Sequence, residues 1–134
     1  METKETLQSL DEWSRQELKD ILDFYINYDY DPKGGFYGAV LRTLEPVKDA
    51  DRSIVLNARL MWTFASAYRI LKDPRYLEMA NHAKDYIKEH FVDKEYGGAY
   101  WVVDAQGNPA DESKYPYGIA FIIYGGAELA RASG

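Results

Sequence analysis

Between Ser53 and Leu71 the chain reads SIVLNARLMWTFASAYRIL, and a single charged side chain, Arg59, interrupts it before Arg69. Apolar residues fall on every face of a helix drawn through this stretch: Ile54, Val55, Leu56, Ala58, Leu60, Met61, Trp62, Phe64, Ala65, Ala67 and Tyr68. A surface helix carries one apolar stripe, whereas a helix that is apolar all round is enclosed by protein. The pattern therefore predicts an interior helix from about Asp51 to Leu71, with Asn57 and Arg59 inside the molecule. A guanidinium cannot shed its proton, so a buried Arg59 must find partners.

The neighbouring segments are patterned differently. Leu7, Leu10, Trp13, Leu18, Ile21, Leu22 and Tyr25 recur at three- and four-residue intervals, which predicts a one-sided helix from Thr3 to about Asn27. Asp29 to Gly35, DYDPKGG, ends it, because Pro and paired Gly cannot continue a helix. Phe36 to Leu41 reads as a brief strand and Arg42 to Asp51 as a loop. After the interior helix, Asp73 is an N-cap and Pro74 a first helical residue. The third helix runs to about Phe91 on a stripe of Tyr76, Ala80, Ala83, Ile87 and Phe91. GGAYWVVD then reads as a strand and Gln106 to Pro109 as a tight turn. Tyr117 to Ser133 forms a fourth helix whose only charges are Glu128 and Arg131, and Gly125-Gly126 offers bare backbone for close packing.

The order is thus one-sided, interior, one-sided, interior. It carries an internal repeat: Gly34-Gly35-Phe36-Tyr37 matches Gly97-Gly98-Ala99-Tyr100 at an offset of 63, and Trp62 to Tyr68 runs parallel to Ile123 to Leu129 at an offset of 61. Each unit is an outer helix, a GG hairpin and an inner helix, as in α/α solenoids and toroids. The expected fold class is all-α with short β-hairpin loops, one domain over residues 1–134, in two repeats of about 3–71 and 74–133.

Composition narrows the function classes. The net charge of −6 argues against nucleic acid and anionic membrane as partners. Absence of cysteine excludes disulfides and thiolate metal sites. The charged first residues do not read as a secretory leader, so the expected location is cytoplasmic. Aromatic residues make up 15% of the chain, and twelve of them are Tyr; such enrichment suits sugar surfaces, cores and interfaces alike.

DPKGGFYG, LNARLMWTFASAYR, DKEYGGAYWVVDAQGNPAD and YPYGIAFIIYGGAELARASG together resemble the N-acylglucosamine 2-epimerase superfamily, and most of all its cellobiose 2-epimerase branch. The resemblance implies an (α/α)6 barrel of which this chain holds two units, and an enzyme that inverts C2 of an aldose without a cofactor. It implies that Arg59, of an asparagine-x-arginine motif with Asn57, holds substrate oxygens, and that Tyr117 opens the second inner helix at the same site. Where relatives often carry Gln two residues after that tyrosine, this chain has Ile119. The family's catalytic histidines fall in later repeats; His82 and His90, on the third helix, read as surface residues.

Epimerisation beside a carbonyl needs a base, a conjugate acid and stabilisation of the oxyanion. The planar donors of Arg59 suit the last of these. The structural alternative pairs Arg59 with Glu128 or with helix carbonyls. Tyr115, Tyr117, Tyr37 and Trp101 can stack on a sugar ring or pack at a helix mouth, and turn or cap roles account for Asp93, Asp104 and Asp111. The expectation is sugar binding with the catalytic histidines missing; a non-catalytic assembly module is the alternative. No metal site is expected. Two units cannot close the barrel, so self-association is expected, a trimer before a dimer.

Overall fold

The computed structural model describes residues 2–134. Helix α1 spans Glu2–Phe24 and widens into a π turn over Tyr25–Asp29. A long hairpin leads to β1, Arg52–Ser53, and to α2, Ile54–Leu71. Helix α3 spans Pro74–Tyr86 and widens in the same way over Ile87–Phe91. A second hairpin holds β2, Val102–Val103, and β3, Pro109–Asp111, and leads to α4, Pro116–Ser133.

The caps lie where the residue types place them. The Ser53 hydroxyl accepts from the Leu56 amide at 3.1 Å and starts α2. Lys72 turns left-handed at φ 58° and ends it; Asp73 then caps α3 by accepting from the Arg75 amide at 3.0 Å, with Pro74 in the first turn. The strands are shorter than the pattern predicts. Phe36–Leu41 is not a strand but two isolated bridges, Tyr30 with Phe36 and Val40 with Pro46. Of GGAYWVVD only Val102–Val103 is strand. The Gln106–Pro109 turn forms, closed from the Asp104 amide to the Asn108 carbonyl at 2.8 Å.

The three strands pair antiparallel in the order β1-β2-β3, with Arg52 opposite Val103 and Ser53 opposite Val102. The first hairpin is thereby joined to the second immediately before α2. Helix α2 lies between α3 and α4, and its Ala58, Leu60, Met61, Phe64, Ala65 and Ala67 form the centre of the core. The α3 stripe of Tyr76, Ala80, Ala83, Ile87 and Phe91 is buried against it, as its spacing predicts. Gly125 lets α4 approach: a Cβ there would stand 2.6 Å from the Ala58 carbonyl oxygen, whereas Gly126 faces open space.

The two inner helices are not enclosed on all sides. Eight residues of α2 are buried, but Arg59 and Ile70 are exposed. On α4 only Gly118, Gly125, Glu128 and Leu129 are buried, and Ile123 is 68% exposed. The physical reason is that α3 and α4 cover only part of the circumference of α2, and α4 packs mainly on α2 with a minor contact to α3, where an enclosed helix needs several neighbours. Helix α1 touches the core at Leu22, Leu18, Tyr25 and Ile26, while Leu7, Leu10 and Trp13 are more than half exposed. No helix of the described residues is long and apolar enough to cross a membrane.

Candidate functional site

The exposed sides of α2 and α4 enclose a groove of about 610 Å³, lined by Arg59, Trp62 and Thr63 of α2 and Tyr117, Ala120, Phe121 and Tyr124 of α4. The helical spacing of 59, 62 and 63 puts the first three on one face, and 117, 120, 121 and 124 do the same for α4. Trp62 and Tyr124 stack nearly parallel at 5.1 Å, and Tyr117 meets Phe121 edge-on at 5.0 Å. The Arg59 guanidinium sits 5.7 Å from the Phe121 ring centroid. No hydrogen bond or ion pair holds it among the described residues.

This corrects the reading of Arg59 as a buried cation. Its solvent-facing position removes the requirement for an internal partner, and Glu128 is occupied elsewhere. Arg69 bonds one Glu128 oxygen at 2.7 Å and Arg131 the other at 3.3 Å. Of the other candidates, only Tyr117 shares the groove. Tyr115 stands at the start of α4, edge-on to Trp101 at 4.9 Å. Asn57 is fully buried; its side-chain amide donates to the Ser53 carbonyl at 3.2 Å, and its Oδ1 has no hydrogen-bond partner and lies toward Gly35. Tyr37 belongs to a different cleft, under the first hairpin. Two positions from Arg59 is about 200° around a helix, which is why Asn57 faces the other way. Ile119 packs toward Gly98 rather than into the groove.

The histidines, expected at the surface, are half-buried and hydrogen-bonded to the hairpins. His82 Nε2 lies 3.0 Å from the Asp31 carbonyl and 2.8 Å from that of Gly35, so it carries the proton and donates to the turn. Its ring packs on Tyr30 at 4.4 Å. His90 packs on Tyr86 at 4.5 Å with Nδ1 at 3.2 Å from the Gly107 carbonyl. Both brace hairpins, and neither lines the groove.

Arg52 escaped attention in the sequence because it sits among loop-like residues. It is 2% exposed, bonds Asp31 at 2.5 Å and the Gly34 carbonyl at 2.8 Å, and lies between the rings of Tyr37 and Tyr86. The second hairpin repeats the device: Lys114 bonds Asp93 at 2.5 Å. In both hairpins a carboxylate bonds a cation twenty-one residues later, immediately before the cap of an inner helix. That shared spacing is the signal the sequence offered. Burial pushes the Asp31 carboxyl up, but the Arg52 bond and the Lys33 amide outweigh it and hold it below its ordinary range. The Lys114 bond and the Tyr96 and Glu95 amides bring Asp93 down to about 2. Asp29 behaves oppositely: burial raises it to about 6, and the charge of Arg52 offsets only part of that.

Comparison with known proteins identifies the lineage. A family model described as N-acylglucosamine 2-epimerase (GlcNAc 2-epimerase) matches residues 35–134. Cellobiose 2-epimerase of Bacteroides fragilis is 42% identical over 93% of this chain and 33% of its own length, and that of Ruminococcus albus 44% over 90% and 31%. The crystal structure of a sugar epimerase from a ruminal bacterium superposes with a TM-score of 0.83 at 44% identity, covering 90% of this chain and 31% of that one. A D-mannose isomerase structure superposes at 0.80 with 26% identity over 87% and 29%. The architecture is therefore part of an α/α toroid, and the chain spans about a third of the length of the relatives it matches. On the strength of the matched residues and the shared fold, the chain belongs to the N-acylglucosamine 2-epimerase family.

Proposed function

We propose that the groove between α2 and α4 is one wall of a carbohydrate pocket, with Arg59 as the group that holds the oxygens of an aldose. The observation that carries this reading is a guanidinium with no hydrogen bond or ion pair among the described residues, set over the Phe121 ring in a concave site. A planar fork of N–H donors suits two neighbouring sugar oxygens, and stacked rings suit the apolar face of a pyranose. Tyr117 adds a hydroxyl to the same wall. The relatives' names make glucose-containing disaccharides such as cellobiose the first class to test.

The chemistry of a C2 epimerase also needs a base and an acid on opposite faces of the sugar. The groove lining holds no histidine, lysine, aspartate or glutamate to serve as that base. The two histidines brace hairpins instead. The chain by itself therefore binds and does not turn over. Amide shifts in labelled protein on addition of cellobiose, glucose or mannose test this. Saturable shifts at Thr63 and Phe121 that Arg59→Ala abolishes are expected; no response in the parent chain defeats the reading. Incubation with sugar in deuterated water is expected to leave C2 unexchanged.

A second reading, a two-repeat assembly module without chemistry, is favoured by a specific observation. Leu7, Leu10 and Trp13 at one end and Ile123 and Tyr124 at the other are exposed on faces that a toroid would cover. The two readings are compatible: copies that associate through these faces, as a trimer or a dimer, would close a pocket over Arg59.

A further inference from the structure

A second concavity shares no residue with the Arg59 groove. It encloses about 600 Å³ between the first hairpin and the Ala105–Gln106 turn of the second. Its wall carries Lys33, Lys48 and Arg52, with His90 beside them, against one carboxylate, that of Asp31. Asp31 is already bonded to Arg52. Neither lysine ammonium has an ion-pair partner among the described residues. Asp29 and Asp104 stand close enough to act on Arg52 and Tyr86 but lie outside the lining. In a chain of net charge −6, three cations around one spent carboxylate is a local reversal of sign.

Arg52 Nε and the Tyr86 hydroxyl are buried beside this cleft without a hydrogen bond of good geometry, although the Arg52 guanidinium stands close enough to act on that hydroxyl. Proteins leave few such groups, and each calls for an explanation. Bracing the hairpin does not explain them. At the second hairpin a lysine does the same work on Asp93 with one ammonium. Arginine at the first supplies donors beyond those that Asp31 and Gly34 use. The GG turn seats directly on the Tyr86 ring: a Cβ on Gly34 or Gly35 would meet it at 2.9 or 2.7 Å.

We propose that this cleft binds a small oxyanion, a phosphate or sulfate group, free or carried on a small molecule. Lys33 and Lys48 hold it at the mouth by charge, and the buried Arg52 guanidinium adds positive charge behind them. The site is independent of the sugar reading.

The test is titration of the whole labelled chain with sodium sulfate, with sodium chloride at matched ionic strength as reference. Saturable amide shifts are expected at Lys33, Gly34, Lys48 and Gln106, with Thr63 and Phe121 unmoved. Lys33 and Lys48 are exposed, so replacing both by alanine keeps the fold, and it should weaken sulfate about tenfold. Inorganic phosphate against glycerol phosphate separates the two sources: equal affinity means a free ion, tighter glycerol phosphate a phosphorylated small molecule. No saturable shift, shifts that chloride reproduces, or binding untouched by the double lysine variant would each overturn the proposal.

Discussion

Arg52, in β1 just before α2, and Arg59, in the second turn of α2, have exchanged the roles their surroundings suggest. Arg59, embedded in apolar sequence, faces solvent; Arg52, flanked by Asp51 and Ser53, is the buried one. An apolar run reports how much surface will be covered, not which chain covers it. Arg59 lies on the side of α2 that this chain leaves open. Asp29 shows a residue-scale effect that can be measured. Its folded-state value of about 6 exceeds the ordinary 3.8, so the folded chain holds this proton where the unfolded chain has lost it. Stability attributable to Asp29 is therefore full below about 4 and declines as pH rises to about 6. Asp93, lowered to about 2, acts in the reverse sense and loses its contribution only as pH falls below 3.8. Asp29→Asn should flatten the loss between pH 4 and 6 in urea midpoints and leave the chain more stable at neutrality. Parallel profiles for the two proteins would contradict the assignment.

At the scale of elements, periodicity located the helices well. The cap at Asp73 and the α3 stripe follow from residue type and spacing alone, whereas α2, predicted from about Asp51, is capped by Ser53 and starts at Ile54. The π turns that end α1 and α3 left no pattern, since one extra residue in a turn does not disturb a three- and four-residue stripe at its end. The hairpins were only half legible: their glycines announced a turn, but their order comes from Arg52, Lys114, His82 and His90, whose bonds are to residues seventeen or more positions away. Gly35 is the strictest of the turn positions. It sits at φ +64°, and a Cβ would stand 2.7 Å from the Tyr86 ring. Gly35→Ala should cost about 1–3 kcal/mol in chemical denaturation from backbone strain and the clash together. Gly126→Ala, in open space within α4, should stabilise slightly by its helix propensity. If Gly35→Ala melts like the parent chain, the packing of the turn against Tyr86 is wrong.

The molecule as a whole carries its apolar excess at two ends. The relatives that are 42–44% identical over nine-tenths of this chain are about three times its length. Leu7, Leu10 and Trp13 on α1 and Ile123 and Tyr124 on α4 are accordingly the residues through which copies of this chain should associate. Light scattering across a concentration series is expected to give a multiple of 15.4 kDa, and Trp13→Glu to return the monomer. A parent chain that is monomeric at every concentration removes the association proposal while leaving the groove intact.

The pairing of β1 with β2 has a bearing on how the polypeptide could be divided. Lys72 and Asp73, the short link between α2 and α3, look like the natural place to separate the two halves. Yet Arg52 and Ser53 are zipped to Val103 and Val102 across that boundary, and α2 packs on both later helices. A strand break at Lys72 would yield two peptides that travel as one particle, and neither half, expressed alone, would have a surface on which to finish folding.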